Sequence, residues 1–522
     1  MFFAGSARVK IYYEVTITMP SLLPTAKNIK IGCSIGTPTA KLLSKLDTVL
    51  IVLPPRVAAG TWRQLPQDAK IKQLLKKSAP GTVPGATLRL ANPRQTSVLT
   101  VKTKEPLDAF EQLTLGRKLV AAANPARGDR IGIWVCGFEP AEQRDLTLNI
   151  AAAALAAGFQ MPSFKSDKPK PAPVGGLQLL GLGEEIDTRR LLAEAGGNNL
   201  ARWLTSLPPN VLTDVTYADT LEELAGQQGW DCTKFGMAEL RELGAGAFLA
   251  VAQGNRDDSA AIVRLRYRPG DKRGAADLSL VGKGIIFDTG GTNLKPFASM
   301  LEMHTDMQGS AVALGTLFAI ASLGLDIAVD CWLAITENRT GSTAYKSQDL
   351  VTAANGKTIQ VIHTDAEGRM ALADALTLAC RDKPGLVIDY ATLTGSCVTA
   401  ITTRYSGIFT NRPNLHPLLK RTGKDCGERV WPFPMEKEFL EELKSDLADL
   451  KQCTQTGGGD HIMAACFLHE FIEGNVPWLH IDLSASTHAK GLAHIPTDVT
   501  GFGVRYTLGL LLDAHVLDSD LS

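Results

Sequence analysis

Apolar runs of strand length alternate with alanine-rich or amphipathic stretches of helix length along most of the chain. In the first third, residues 46–55 (LDTVLIVLPP) and 129–138 (DRIGIWVCGF) predict buried strands, and residues 145–159 (DLTLNIAAAALAAGF) predict a helix. Residues 163–176 (SFKSDKPKPAPVGG) are rich in Lys and Pro and predict a linker. Beyond it, residues 184–210 predict a helix stopped by Pro208 and Pro209. Strands are expected at 278–287, 327–336, 358–363, 385–395 and 478–484, with helices at 310–324 and 371–380 between them. Strands that are apolar throughout and separated by helices imply an α/β fold, with a mostly parallel central sheet covered by helices on both faces. The expected organisation is a smaller N-terminal α/β domain at 1–164, a linker at 165–183, and a larger C-terminal domain at 184–522 that carries the chemistry.

Composition narrows the class. At 522 residues the chain exceeds one ordinary core. With 45% hydrophobic and 21% charged residues it reads as globular. Lys+Arg and Asp+Glu both number 54, so no global field draws it to nucleic acid or membrane. The nine cysteines form no CxxC pair and suit free thiols in a reducing cytosol. The first twenty residues lack a signal-peptide pattern, and no uninterrupted apolar run reaches membrane-spanning length, so a cytoplasmic setting is expected.

Against this background, residues 281–295 (VGKGIIFDTGGTNLK), 304–309 (HTDMQG) and 363–369 (HTDAEGR) stand out. They place Lys283, Asp288, Lys295, Asp306, Asp365, Glu367 and Arg369 at the ends of apolar elements, where ligands of such sheets gather. Each has an ordinary account alone. Thr364 and Glu367 have capping-box spacing. Asp288 before Gly290 and Gly291 suits a tight turn, and Asp306 suits a helix N-terminus. Lys295 and Arg369 suit a solvated surface. Lys283, between two glycines in an apolar strand, is harder to place, because burying an ammonium is costly without a partner. Four carboxylates with three cations at these spacings fit a two-metal hydrolytic site better than seven separate accounts. Rival fingerprints are missing: no GxxxxGK[ST], no complete GxGxxG and no GxSxG occurs.

These segments, with residues 390–395 (YATLTG), 337–351 (ENRTGSTAYKSQDLV) and 500–505 (TGFGVR), resemble the leucyl aminopeptidase (cytosol aminopeptidase, M17) family over roughly residues 185–515. The resemblance implies a metal-dependent aminopeptidase acting on peptides with a free N-terminus, with a leucine-like preference possible in the family. It implies two divalent ions per subunit, Zn²⁺ foremost, with Mn²⁺, Mg²⁺ or Co²⁺ at an exchangeable site. Asp288 and Glu367 would bridge them, Lys283 and Asp306 would complete the tighter site, and Asp365 the looser one. Lys295 would stabilise the oxyanion. Arg369, helped by backbone near Leu393, would hold a bicarbonate that acts as base. Met303, His363, Thr392 and Gly395 would contact substrate, and the assembly would be a homohexamer.

The chain also departs from the family pattern, with His363 where Asn is usual, His304 where Lys or Arg is usual, Gln308 for a Gly, and Asp460 to Met463 in a late loop where small residues are usual. None removes a ligand or a catalytic cation. The alternative function is a hexameric relative with altered or lost catalysis, serving as a structural or DNA-binding protein.

Overall fold

The computed structural model describes residues 22–24, 29–79, 81–124, 129–166, 174–270, 272–455 and 458–519; the first twenty-one residues, where no signal peptide is expected, lie outside them. Two large sheets dominate. The first contains β1 (Lys30–Ile35), β2 (Thr48–Leu53), β3 (Ala86–Arg89), β4 (Ser97–Lys102), β5 (Asp129–Val135) and β6 (Val174–Leu182) in the order β1-β6-β5-β2-β4-β3. All its pairings are parallel except β3 with β4. Every residue of β2 is buried, as its unbroken apolar run requires.

β6 corrects the expected linker. Val174–Leu182 pairs with both β1 and β5, and Val174, Leu177, Leu179, Leu180 and Leu182 are buried there. Its leucines belong to an interior strand; the Lys- and Pro-rich residues 167–173 lie outside the described residues.

The second sheet has the order β15-β14-β17-β13-β9-β10-β8-β7. Its strands are β7 (Asp231–Gly236), β8 (Ala261–Tyr267), β9 (Leu278–Asp288), β10 (Val329–Asn338), β13 (Leu386–Ala391), β14 (Ser406–Thr410), β15 (Val430–Pro432) and β17 (Trp478–Asp482). A small third sheet joins β11 (Leu350–Thr352), β12 (Thr358–Gln360) and β16 (Leu450–Lys451). The four central strands β17, β13, β9 and β10 run parallel, and antiparallel pairs flank them.

Helices cover both faces. Helix α1 (Arg189–Thr205) packs on α2 (Gln308–Leu323), which lies on β9, β10 and β13; α3 (Glu367–Arg381) covers the opposite face. The alternation along β9 fits this: Leu278 and Leu280 join the α2 core, whereas Val281 and Ile285 join the α3 core. Each such side chain contributes about 1.5–3 kcal/mol when fully buried. The segment Phe297–Leu323 is apolar and long enough to cross a bilayer, but 78% of its apolar window is buried within the protein, as in a core helix. All nine cysteines are free.

Two further expectations change. The strand at 358–363 is only Thr358–Gln360 and belongs to the small sheet. The Gln452 side chain accepts the Ile362 and His363 amides, which ends the ladder. The late loop at Asp460 to Met463 is the start of helix α4 (Asp460–His469); Asp460 follows Gly459 at φ 65° and sits where the helix dipole favours a carboxylate.

Candidate active site

The site is assembled at the carboxyl ends of β9 and β10 and the N-terminus of α3. Lys283 shares the parity of Val281 and Ile285, so its side chain runs toward α3. Asp288, five residues on, would point the other way in a regular strand. A register shift between Thr336 and Asn338 gives β9 one extra residue against β10, and this returns Asp288 to the parity of Lys283. Gly368 then allows the close approach, since a Cβ there would lie 2.7 Å from Lys283 Nζ.

Lys283 Nζ lies 2.8 Å from Asp306 and 3.0 Å from Glu367, and donates to the Thr392 carbonyl at 2.9 Å. Lys295 Nζ lies 2.9 Å from Asp288 Oδ2 and 2.5 Å from Asp365 Oδ1. Oxygens of Asp288, Asp365 and Glu367 approach within 4.8 Å of one another. Lys283, Asp288, Asp306 and Glu367 are all buried; Lys295 and Asp365 are more open.

Four carboxylates thus face two ammonium groups. Burial, reinforced by Glu367 and Asp288 against the pull of Lys283, raises Asp306 to about 7. Burial and the neighbouring Asp288 raise Asp365 to about 6, and the Glu367 carboxyl is raised for the same two reasons. Burial pushes the two lysines down, but their carboxylate partners more than reverse it, so both stay protonated. A protein-only cluster therefore has an excess of buried negative charge and converging oxygen donors. That oxygen donor set, which the Lys283 nitrogen can join only when a dication displaces its proton, fits divalent cations of the Zn²⁺, Mn²⁺ or Mg²⁺ kind.

Several anchors hold the carboxylates in place. Asn338 Nδ2 donates to Asp288 Oδ1 at 2.7 Å and to the Thr364 carbonyl at 3.0 Å; Tyr345 donates to the same carbonyl at 2.8 Å. Gly290, at φ 86°, returns its amide to Asp288 Oδ1 at 2.8 Å. Gln452 bonds the Ala366 carbonyl through Nε2. The sequence reading did not single out Asn338, Tyr345 or Gln452. Asn338, closing an apolar strand, was the one with a visible signal.

The capping-box reading of Thr364 is overturned. The residue before α3 is Ala366, with no side-chain cap, and Thr364 Oγ1 instead donates to Gly290 O and accepts from Asn293 N. Its hydroxyl ties the Asp288 loop to the Asp365 loop, and this leaves Glu367 free to face Lys283.

Of the expected substrate contacts, Thr392 donates to Asp306 Oδ1 at 2.7 Å. His363 is exposed beside Asp365, whose amide donates to its Nδ1 at 3.2 Å. Burial and the Lys295 charge hold the His363 pKa below its usual value. Met303 is half-buried in a short turn and Gly395 is exposed at the start of a helix. His304 is likewise held low by burial. Arg369 is buried and pairs with Asp460 through both terminal nitrogens, at 3.0 and 2.7 Å. The Leu393 amide donates to Asp482 Oδ1 at 3.2 Å.

Clustered acidic oxygens with lysines at the ends of parallel strands define the class: a hydrolase of the metal-dependent kind. The chain belongs to the cytosol aminopeptidase family, whose catalytic domain matches residues 199–508, and is a metallo-aminopeptidase. It is 40% identical over 364 residues to a probable cytosol aminopeptidase of Prochlorococcus marinus (strain MIT 9211), covering 68% of this chain and 73% of that one. A second, from Solibacter usitatus, is 42% identical over 325 residues, covering 62% and 67%. Among solved structures, a tomato leucine aminopeptidase mutant superposes with a TM-score of 0.80 at 26% identity, covering 94% of this chain and 98% of that one. The bottromycin maturation enzyme BotP in complex with Mn gives 0.75 at 29% identity, covering 90% and 99%.

Proposed function

We propose that this protein removes N-terminal residues from peptides at a two-metal site held by Lys283, Asp288, Asp306, Asp365 and Glu367. The observation that carries the reading is the convergence of all five side chains in one largely buried cluster, with Lys295 on its more open side. Bound there, divalent ions would supply Lewis acidity toward the carbonyl and a water acidified to neutral pH.

The chain's own residues have separable tasks. Asp288 and Glu367 lie between the two lysines and are the bridging candidates. Thr392 and Asn338 fix the directions of Asp306 and Asp288. Lys295, protonated because its three carboxylate neighbours outweigh its burial, stabilises the negative charge that develops on the carbonyl oxygen. Met303, His363 and Gly395 are our candidates for contact with the first residue of the peptide, for which a leucine-like side chain is our expectation; His363, beside Asp365, is the one with a contact next to the cluster.

Zn²⁺ is the leading ion, with Mn²⁺, Mg²⁺ or Co²⁺ at the Asp365 side. Zn²⁺ follows from the family resemblance, whereas a Mn-bound relative and the oxygen-rich donor set support Mn²⁺ or Mg²⁺ at the Asp365 side. We further infer a cytoplasmic homohexamer, in keeping with the relatives' cytosolic naming and the family resemblance, and two domains built on the two large sheets.

Dialysis against a chelator should abolish hydrolysis of a leucyl anilide, and added Zn²⁺ or Mn²⁺ should restore it. Undiminished activity in protein shown by elemental analysis to be metal-free would overturn the reading.

A further inference from the structure

Arg369 is the third residue of α3 and is 2% exposed. A guanidinium so buried needs an anion of matching shape, and planar carboxylates or bicarbonate provide it through two parallel hydrogen bonds. In this chain the anion is covalently present. Asp460, the first residue of α4, receives Nη1 on Oδ1 at 3.0 Å and Nη2 on Oδ2 at 2.7 Å, and Nη1 also reaches the Gln452 carbonyl at 3.3 Å.

The second donor that the resemblance implies for a bound bicarbonate is occupied as well. The Leu393 amide donates to Asp482 Oδ1, and the Thr394 hydroxyl donates to Asp482 Oδ2 at 2.7 Å. Both terminal nitrogens of Arg369 and the Leu393 amide are thus engaged by the chain, with Arg369 Nε the one buried donor left over, so an external oxyanion could take this slot only by displacing Asp460 or Asp482. Asp460 is also tied to the cluster through Gln452: Arg369, which holds Asp460, donates to the Gln452 carbonyl, while the Gln452 side chain accepts the His363 amide and donates to the Ala366 carbonyl on either side of Asp365. With a side-chain exposure of 24%, Asp460 remains reachable from solvent while Arg369 behind it is sealed.

We propose that Asp460 is a built-in replacement for an external oxyanion: held by Arg369, its carboxylate accepts the proton of the attacking water, and turnover needs no dissolved bicarbonate. The water oxygen bonds to the carbonyl carbon while one O–H bond breaks and its proton passes to an Asp460 oxygen. That proton goes to the departing amine nitrogen as the C–N bond breaks, which returns Asp460 to its carboxylate form. Arg369 is then a positioning residue, and Asp460 the proton carrier.

The inference rests on the aminopeptidase reading, and its test separates the two. Metal-loaded protein is assayed in CO₂-free buffer with and without bicarbonate or formate, as wild type, Asp460→Gly and Asp460→Asn. Wild type should change by less than about twofold, whereas both variants should lose kcat by about a hundredfold, within the range for a lost general base, at nearly unchanged KM. Bicarbonate should restore at least about tenfold of this in Asp460→Gly, whose slot is vacated, and nothing in Asp460→Asn, whose amide still fills it.

Two readouts need no catalysis: bicarbonate should raise the melting temperature of metal-free Asp460→Gly but not of wild type, and ¹³C-bicarbonate should broaden saturably only with that variant. A several-fold bicarbonate stimulation of wild type, full activity in Asp460→Asn, or a glycine variant that responds to no oxyanion would overturn the proposal. If Asp460→Gly fails to fold, saturable ¹³C-bicarbonate binding by wild type still overturns it, and none supports it. Failure of wild type to cleave any aminoacyl substrate would instead defeat the functional reading, while the melting and ¹³C measurements still decide the role of Asp460.

Discussion

The carboxylate cluster has two halves that differ in solvent rather than in residue type. Around Lys283, the side chains of Asp306, Glu367 and the lysine itself are 7% exposed or less. Around Lys295, the lysine is 14% and Asp365 28% exposed. The inner half is framed by β9, α3 and the Thr392 loop; the outer half is framed by turns following β9 and preceding α3. Because desolvation penalises charge most where water is excluded, the inner charges depend on one another more strongly than the outer ones do.

The sharpest probe of this division is the outer lysine. Lys295→Ala should leave bound metal unchanged and lower kcat by about 10²–10³, the usual loss when a donor to a developing oxyanion is removed. Steady-state kinetics with metal analysis of the same sample check it. A parallel fall in metal content would mean that Lys295 works by holding the carboxylates together, and the two halves would not be functionally distinct.

The inner lysine should act on stability instead. Lys283→Met leaves Asp306 and Glu367 buried without their ammonium. Removing one member of a buried pair costs about 3–5 kcal/mol, and the lower end, roughly 3 kcal/mol, is expected because Asp306 already takes up a proton near neutral pH. Urea unfolding of the metal-free protein at pH 7 measures it. The matching Lys295→Met change should cost less, roughly 2 kcal/mol, because Asp365 is partly screened by solvent although Asp288 is left buried; equal losses would erase the contrast.

The same contrast explains what the chain disclosed in advance. Lys283, Asp288, Asp306, Asp365, Glu367, Lys295 and Arg369 were legible because charged residues at fixed spacing interrupt apolar, glycine-rich runs. The strands β2, β5, β9, β10 and β13 were legible because burial on both faces leaves an unbroken apolar signature. The partners that orient the cluster were not. Asn338, Tyr345 and Gln452 are ordinary polar residues whose roles exist only after β10, the Tyr345 turn and β16 meet the Asp365 loop. At Thr364 a tertiary bond to Gly290 takes the place of the helix cap that the local spacing alone would also suit. Local composition misled at residues 174–182, where neighbouring lysines and prolines disguised an interior strand.

A carboxylate outside the cluster tests whether burial alone produces the inner-half behaviour. Glu428 is 5% exposed and has no lysine; its Oε2 accepts the Gly503 and Tyr506 amides at 3.0 and 2.9 Å. Burial raises it to about 7 even though those amides and Arg505 pull it down. The folded protein therefore retains this proton between pH 4.5 and 7, where the unfolded chain has released it. Its contribution to stability is fully present below the unfolded value and is lost as pH rises through about 7. Glu428→Gln can keep both amide bonds through Oε1 and cannot titrate. The unfolding free energy of wild type minus that of the variant should fall by roughly 3 kcal/mol between pH 4 and 8, with the change centred on the window from 4.5 to 7. A pH-independent difference would show that burial does not hold the proton on Glu428. The elevated Asp306 would then have to be traced to its neighbouring carboxylates, and the inner half would owe its character to charge crowding rather than to exclusion of water.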